Sequence, residues 1–228
     1  MTQRLQLRKG AWQGTLFDWA TQVFEATGRA ARRVKSPFSF QKIDPLTSGD
    51  LVALSGVLYV ARDAAHARMA DALASGQGLP FEPHNQGLYY MGPTPAPPGR
   101  PIGSCGPTTA SRMDPYTPML VKRGLKLILG KGQRSQEVID CMHAYGCVYL
   151  SAVEGMAALL AQHVVSASVI AYADLGPEAV LRLEVRDFPA VVVNDLHGGN
   201  LYVSGPAQWA RNQDSDSDSD SDSQPASQ

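Results

Sequence analysis

The chain has 228 residues, of which 44% are hydrophobic and 18% charged, with a net charge of −1, a size and balance that supports one well-filled core plus extensions. The near-zero charge excludes a globally basic nucleic-acid binder, no apolar run approaches the roughly 20 residues needed to cross a bilayer, and no secretory signal pattern is present. Cys105, Cys141 and Cys147 contain no close CxxC pair and read as reduced thiols, so a cytoplasmic protein is expected.

Residues 1–36 form a basic extension, with seven Lys/Arg up to Lys35 against Asp18 and Glu25. Leu16, Phe17, Ala20, Val23 and Phe24 recur at helical spacing, which predicts an amphipathic helix that docks on a partner. A targeting presequence is the alternative, and Asp18 and Glu25 argue against it. A folded domain is expected over 37–205. "GDLVALSGVLYVARD" gives two β-like runs around Gly56, and "RDAAHARMADALASG" then reads as a helix stopped at Gly76 or Gly78. "GLYYMGPTPAPPGRPIG" starts as a short strand and becomes a stiff Pro/Gly-rich loop.

Gly106-Pro107 predicts a helix start with proline at the first helical position, and Asp114-Pro115 predicts a second helix running to Gly124. "LKLILGKG" is a buried strand entering a Gly-Lys-Gly loop. "SQEVIDCMHAYG" is a helix capped by Ser135 and followed by Gly146. A strand "CVYLSAV", a helix "GMAALLAQHV" and a strand "SASVIAYADL" follow. "AVLRLEVRDFPAVVVNDLHGGNLYV" is expected to end in a hairpin around Gly198-Gly199. Strands alternate with helices in the middle and look antiparallel at the ends, which predicts a single α/β domain with a mixed sheet. From residue 206 the chain runs into a tail with five aspartates between Asp214 and Asp222, expected to be disordered. It serves solubility or offers serines to an acidophilic kinase.

The segment "GSCGPTTASRMD" concentrates the chemistry. A helix N-terminus attracts anions, so the N–H groups and hydroxyls of Thr108 and Thr109 could meet a carboxylate, with Arg112 one turn along to grip it in a planar fork. A capped turn with Arg112 as a surface ion-pair partner is the plainer alternative. Arg62, with His66 four residues on, and Lys131 fall at two further strand-to-helix junctions, where side chains point into the cleft of an α/β sheet. Three cations suit a dicarboxylate better than a phosphate, and no Walker or dinucleotide fingerprint is present. Cys105 beside the turn is either an activated thiol or packing. His84, His143, His163 and His197 lack paired spacing, so no metal site is expected from this chain.

"LSGVLYVARDAAHARM", "YYMGPTPAPPG", "IGSCGPTTASRMDPYTPMLVKRGLKLILGKG", "GCVYLSAV" and "AVLRLEVRDFPAVVVND" together resemble the C-terminal domain of class I fumarate hydratases, over about residues 40–203. In two-component enzymes that domain is a separate beta subunit, shared with L(+)-tartrate dehydratase. The resemblance implies a "swivelling" β/β/α fold and reversible hydration of fumarate to (S)-malate, or dehydration of tartrate to oxaloacetate. It also implies a [4Fe–4S] cluster ligated by an alpha subunit and not by this chain, and possible assembly as an alpha2beta2 heterotetramer. By the same resemblance Thr108 assists proton transfer at carbon, while Arg62, Thr109, Arg112 and Lys131 bind substrate. Cys105, in place of a small alanine-like residue, and Glu154, in place of glycine, depart from the family pattern. A dicarboxylate-binding or regulatory module without an alpha subunit is the non-catalytic alternative.

Overall fold

The structure, a computed structural model, describes residues 31–152 and 155–210. The expected N-terminal helix, the departure at Glu154 and the Asp-Ser tail beyond residue 210 lie outside the described residues, whereas residues 206–209, expected as the start of that tail, belong to a helix. Seven strands form one sheet: β1 (Arg32–Lys35), β2 (Leu51–Val60), β3 (Gly87–Tyr89), β4 (Leu127–Gly130), β5 (Val148–Ser151), β6 (Val164–Ala171) and β7 (Val180–Asn194). Among the described residues the α-helices are α1 (Phe40–Ile43), α2 (Asp63–Ala74), α3 (Thr117–Val121), α4 (Gln136–Tyr145), α5 (Ala157–Leu160) and α6 (Leu201–Trp209). β1 through β5 run parallel to one another. β7 runs antiparallel to β2, β5 and β6. The mixed α/β sheet read from the sequence is therefore the architecture found, and β7 closes the path β2–β3–β4–β5–β7–β2 into a ring.

Strand alternation divides the interior into two cores. Tyr89, Leu127, Leu129, Val148 and Leu150 face one way, onto Leu54, Leu58, Leu183, Val185 and Phe188 of β2 and β7. Leu88, Tyr90, Ile128 and Tyr149 face the other way, onto Ala65 and Met69 of α2, Leu120 of α3, and Val138 and Met142 of α4. The result is a β/β/α layering with the parallel strands in the middle. Buried on both faces, β3 to β5 read in the sequence as continuous apolar runs.

Four local expectations change. The two runs around Gly56 are one strand with a bulge between Leu54 and Gly56, where Gly56 adopts φ 94°. Arg32–Lys35, within the stretch read as an extension, pair in parallel with β2 as β1. Helix α3 starts at Thr117, with proline in its first turn, rather than at Asp114-Pro115. The segment after β7 makes a single bridge, Asn194 to Asn200, and then becomes helix α6 instead of a hairpin strand. Asp195 takes the N–H groups of Ser48, His197 and Gly199, and Asn200 caps the Tyr202 N–H at 3.1 Å, so local polar bonds start a helix there. Helices α2 and α4 form as expected. Ser135 accepts from the Val138 N–H, and Gly146 terminates α4 in the left-handed region at φ 65°.

Candidate functional site

The C-terminal ends of β2, β3 and β4 lie side by side, as parallel order requires, and the candidate cations follow them. Arg62 follows β2 and stands at the N-cap of α2. Lys131 follows β4, half-buried in the Gly-Lys-Gly turn. Between them β3 runs on through Tyr90 and Met91 to Gly92, and Gly92 is where Arg62 crosses. A Cβ at residue 92 would lie 2.8 Å from Arg62 Nη1, so glycine there gives the guanidinium its path.

The Gly-Pro-Thr-Thr stretch is extended, which corrects the helix start expected at Pro107. Pro107 bridges Met91 and Thr109 bridges Lys131. The Thr108 N–H donates to the Tyr90 carbonyl at 2.7 Å, and the Thr108 carbonyl accepts from the Lys131 N–H at 3.2 Å. The Ala110 N–H donates to the Lys131 carbonyl at 2.8 Å. Only Ala110–Met113 coil, as one 3-10 turn. The Thr108 N–H is thus spent on β3 and cannot receive an anion through a helix N-terminus. What the segment can offer is the hydroxyls of half-buried Thr108 and exposed Thr109, and the side chain of Arg112. Gly130 permits this docking, since a Cβ there would sit 3.2 Å from Ala110 Cβ and 3.3 Å from the Tyr90 ring.

Arg112 and Arg62 meet at one oxygen. Asp63 Oδ2 accepts a hydrogen bond from Arg112 Nη2 and lies 4.0 Å from Arg62 Nη2. Arg62 Nη2 is also 3.4 Å from Glu178 Oε1, while Glu178 Oε2 accepts the Ala64 N–H at 3.1 Å at the start of α2. Arg62 Nε and Asp63 Oδ1 are buried without a hydrogen-bond partner among the described residues. Buried polar atoms of this kind are costly unless another group meets them. The fold therefore brings Arg62 and Arg112 together through Asp63, and ties Thr108, Thr109 and Lys131 together through backbone bonds.

A buried polar layer supports this surface from below. Arg134 has a fully buried side chain, 2.8 Å from Asp114 Oδ1, and donates to Thr117 Oγ1 at 2.6 Å. Its guanidinium lies 5.3 Å from the ring centroids of both Tyr90 and Tyr149. His66 is fully buried on α2 and directs Nδ1 to the Arg62 carbonyl at 2.8 Å, so that nitrogen carries the proton. Burial pushes the His66 pKa down to about 4, against the raising effect of that carbonyl. The unfolded chain takes up a proton that folded His66 refuses, so stability is full above pH 6.5 and falls as pH drops toward 4. The loss expected over that window is on the order of 3 kcal/mol. Thermal melts between pH 7 and 4 should show it, with a shallower slope in His66→Asn, whose amide can keep the bond to Arg62.

Asp63, Gly92, Arg134 and Glu178 were missed by sequence reasoning. Asp63 lies inside the conspicuous "ARDAAH" run, which was a usable signal, whereas Glu178 and Arg134 carry no local mark. Cys105 is not an activated thiol, since complete burial pushes it up to about 12. Cys147 is buried and likewise pushed up to about 12. Among the described residues no group of three or more His, Cys, Asp or Glu side chains is placed to hold a metal ion, and no helix is long and apolar enough to cross a membrane.

The fold and the strand-end cations define a class: an α/β domain that presents guanidinium and ammonium groups where parallel strands end. The family described as Fumarase C-terminus matches residues 15–205, and this chain belongs to it. It is 42% identical over 153 residues to "Fumarate hydratase class I, anaerobic" of Escherichia coli (strain K12), a match covering 66% of this chain and 28% of that protein. It is 43% identical over 153 residues to "Fumarate hydratase 1, mitochondrial" of Leishmania major, with the same two shares. A Methanocaldococcus jannaschii protein provisionally named L(+)-tartrate dehydratase subunit beta is 38% identical over 170 residues, covering 70% of this chain and 85% of that protein. The match thus spans little more than a quarter of these two fumarate hydratases and most of the separate subunit.

Proposed function

We propose that this chain is the beta component of a two-part hydro-lyase that hydrates fumarate reversibly to (S)-malate. The observation that carries this reading is the convergence of Arg62 and Arg112 on a single carboxylate oxygen of Asp63, beside the Thr108–Lys131 turn. Two guanidinium groups that already share one carboxylate can grip another. Lys131, fixed across from Thr109, brings a third positive charge to the same strand ends, where charge develops on a substrate carboxylate as the adjacent carbon loses its proton. The Thr108 hydroxyl stands at that turn to assist the transfer. A hydroxyl alone is too weak a base, so the reading calls for a carboxylate on an alpha subunit.

The [4Fe–4S] cluster implied by the family does not fit the donors present. Cys105 and Cys147 are buried as thiols, and no cluster-forming set exists among the described residues. We assign the cluster to the alpha subunit, where it supplies a Lewis acid. The match in length to the subunit named for L(+)-tartrate favours a second reading, tartrate dehydration to oxaloacetate, on the same residues.

The test is anaerobic co-expression of the full chain with a class I alpha subunit, followed by assays of fumarate hydration and tartrate dehydration on the purified pair. Turnover by the pair, and by neither chain alone, is expected. Failure to form a pair, with dicarboxylate binding retained by the chain alone, would replace the enzyme reading by a binding module.

A further inference from the structure

The turn that carries Lys131 is held from two sides by phenols. Tyr149 on β5 donates its hydroxyl to the Gly132 carbonyl at 2.9 Å. Tyr202 on α6 accepts the Gly132 N–H at 3.0 Å. One residue therefore has both its backbone polar groups bound by side chains from elements distant in sequence. Gly132 needs such support, because its φ of 79° is a conformation with no helix or strand ladder to maintain it.

Each phenol is in turn fixed. Tyr149 packs under the buried guanidinium of Arg134, which is anchored on Asp114 and Thr117. Tyr202 sits in the first turn of α6, whose start is set by the Asn200 cap and by Asp195 collecting three backbone N–H groups in the preceding turn. Asp195 and Asn200 thus act on the turn through Tyr202, and none of these groups is required to touch substrate.

We propose that Tyr149 and Tyr202 are positioning residues for Lys131: they clamp the Gly132 peptide so that the ammonium is held in register with Thr108 and Thr109. This rests on the hydro-lyase reading for the part that concerns turnover, and on geometry alone for the clamp. A shift of about 1 Å in a positioning group can cost up to 100-fold in rate, so loss of one of the two phenol bonds is expected to cost about tenfold.

The experiment uses the full chain paired with its alpha subunit and compares Tyr202→Phe, Tyr149→Phe, Lys131→Ala and the two Lys131 double variants. Phenylalanine keeps each ring and removes only the hydroxyl, and the melting temperature of each variant checks that it folds. Each Phe variant is expected to lose about tenfold in kcat/KM in the native background and less than twofold further in the Lys131→Ala background. The same tenfold loss in both backgrounds would show that the phenols act on stability or on another residue, and would overturn the proposal. Independently, amide exchange over residues 131–133 of the chain alone should quicken in both Phe variants while exchange in β2 and β7 stays unchanged. Unchanged exchange at the turn would also overturn it. A wild-type pair inert toward fumarate and tartrate sinks the hydro-lyase reading rather than the clamp, which the exchange rates then decide.

Discussion

Arg112→Ala, measured in the assembled pair, is expected to lower kcat/KM for fumarate by between about 10- and 1000-fold, equivalent to ~1.4–4 kcal/mol of transition-state stabilisation. The Arg112 side chain is 51% exposed, so its ion pair with Asp63 contributes little to folding. The melting temperature should accordingly move by less than about 4 °C. The catalytic loss has two sources. The fork itself is gone, and Asp63 is left with Arg62 as its nearest cation, 4.0 Å away, which draws Arg62 toward a carboxylate of the protein and away from one of the substrate. Arg112→Lys should recover part of the loss, because a point charge replaces the charge but not the two parallel donors. Near-normal turnover by Arg112→Ala would remove Arg112 from the site.

Thr108→Val is expected to depress kcat by roughly 100-fold, within the range for loss of a proton-transfer group, and to raise KM much less. The backbone at this position makes the substitution clean. The N–H is bound to the Tyr90 carbonyl and the carbonyl to the Lys131 N–H, and both bonds survive in valine. The stretch is extended, which a β-branched side chain favours. Only the hydroxyl is lost. Thr108→Ser should restore most of kcat. A valine variant with unchanged kcat, measured at saturating fumarate, would leave Thr108 a purely structural link between β3 and the Lys131 turn.

Where the sequence was legible, the signal was local. Helices α2 and α4 carry their own caps and periodicity, so Ser135 and Gly146 mark the ends of α4 before any tertiary contact is known. Strands β3 to β5 announce themselves as apolar runs because both faces are covered. The misreadings share one cause. Pro107 has helix-start grammar, but its own bridge to Met91 and the pairing of Thr109 with Lys131 hold the segment extended. Gly198-Gly199 has hairpin grammar, but Asp195 and Asn200 spend the nearby N–H groups on a turn and a cap, so a helix follows.

The same division holds for the candidate site. Arg62, Thr108, Thr109, Arg112 and Lys131 were legible as cations and hydroxyls at strand-to-helix junctions, and the resemblance of their motifs to a family supplied their roles. The groups that hold them were not. Glu178 reaches α2 from the segment between β6 and β7, and Tyr202 reaches Gly132 from a helix that reads as the arm of a hairpin. A side chain's partner is a tertiary fact, and single-sequence patterning has no term for it.

The ring closed by β7 also sets an order of events at the ribosome. β2 is complete at Val60, but the strand that satisfies its second edge starts only at Val180. At roughly 5–20 residues per second, β2 waits on the order of ten seconds for this partner. During that interval the segment with Arg62 at its end is an unpaired apolar edge, of the kind that recruits other nascent chains. The strand-end cations thus depend on the last strand to be made, and a chain halted before Val180 has their sequence without their geometry.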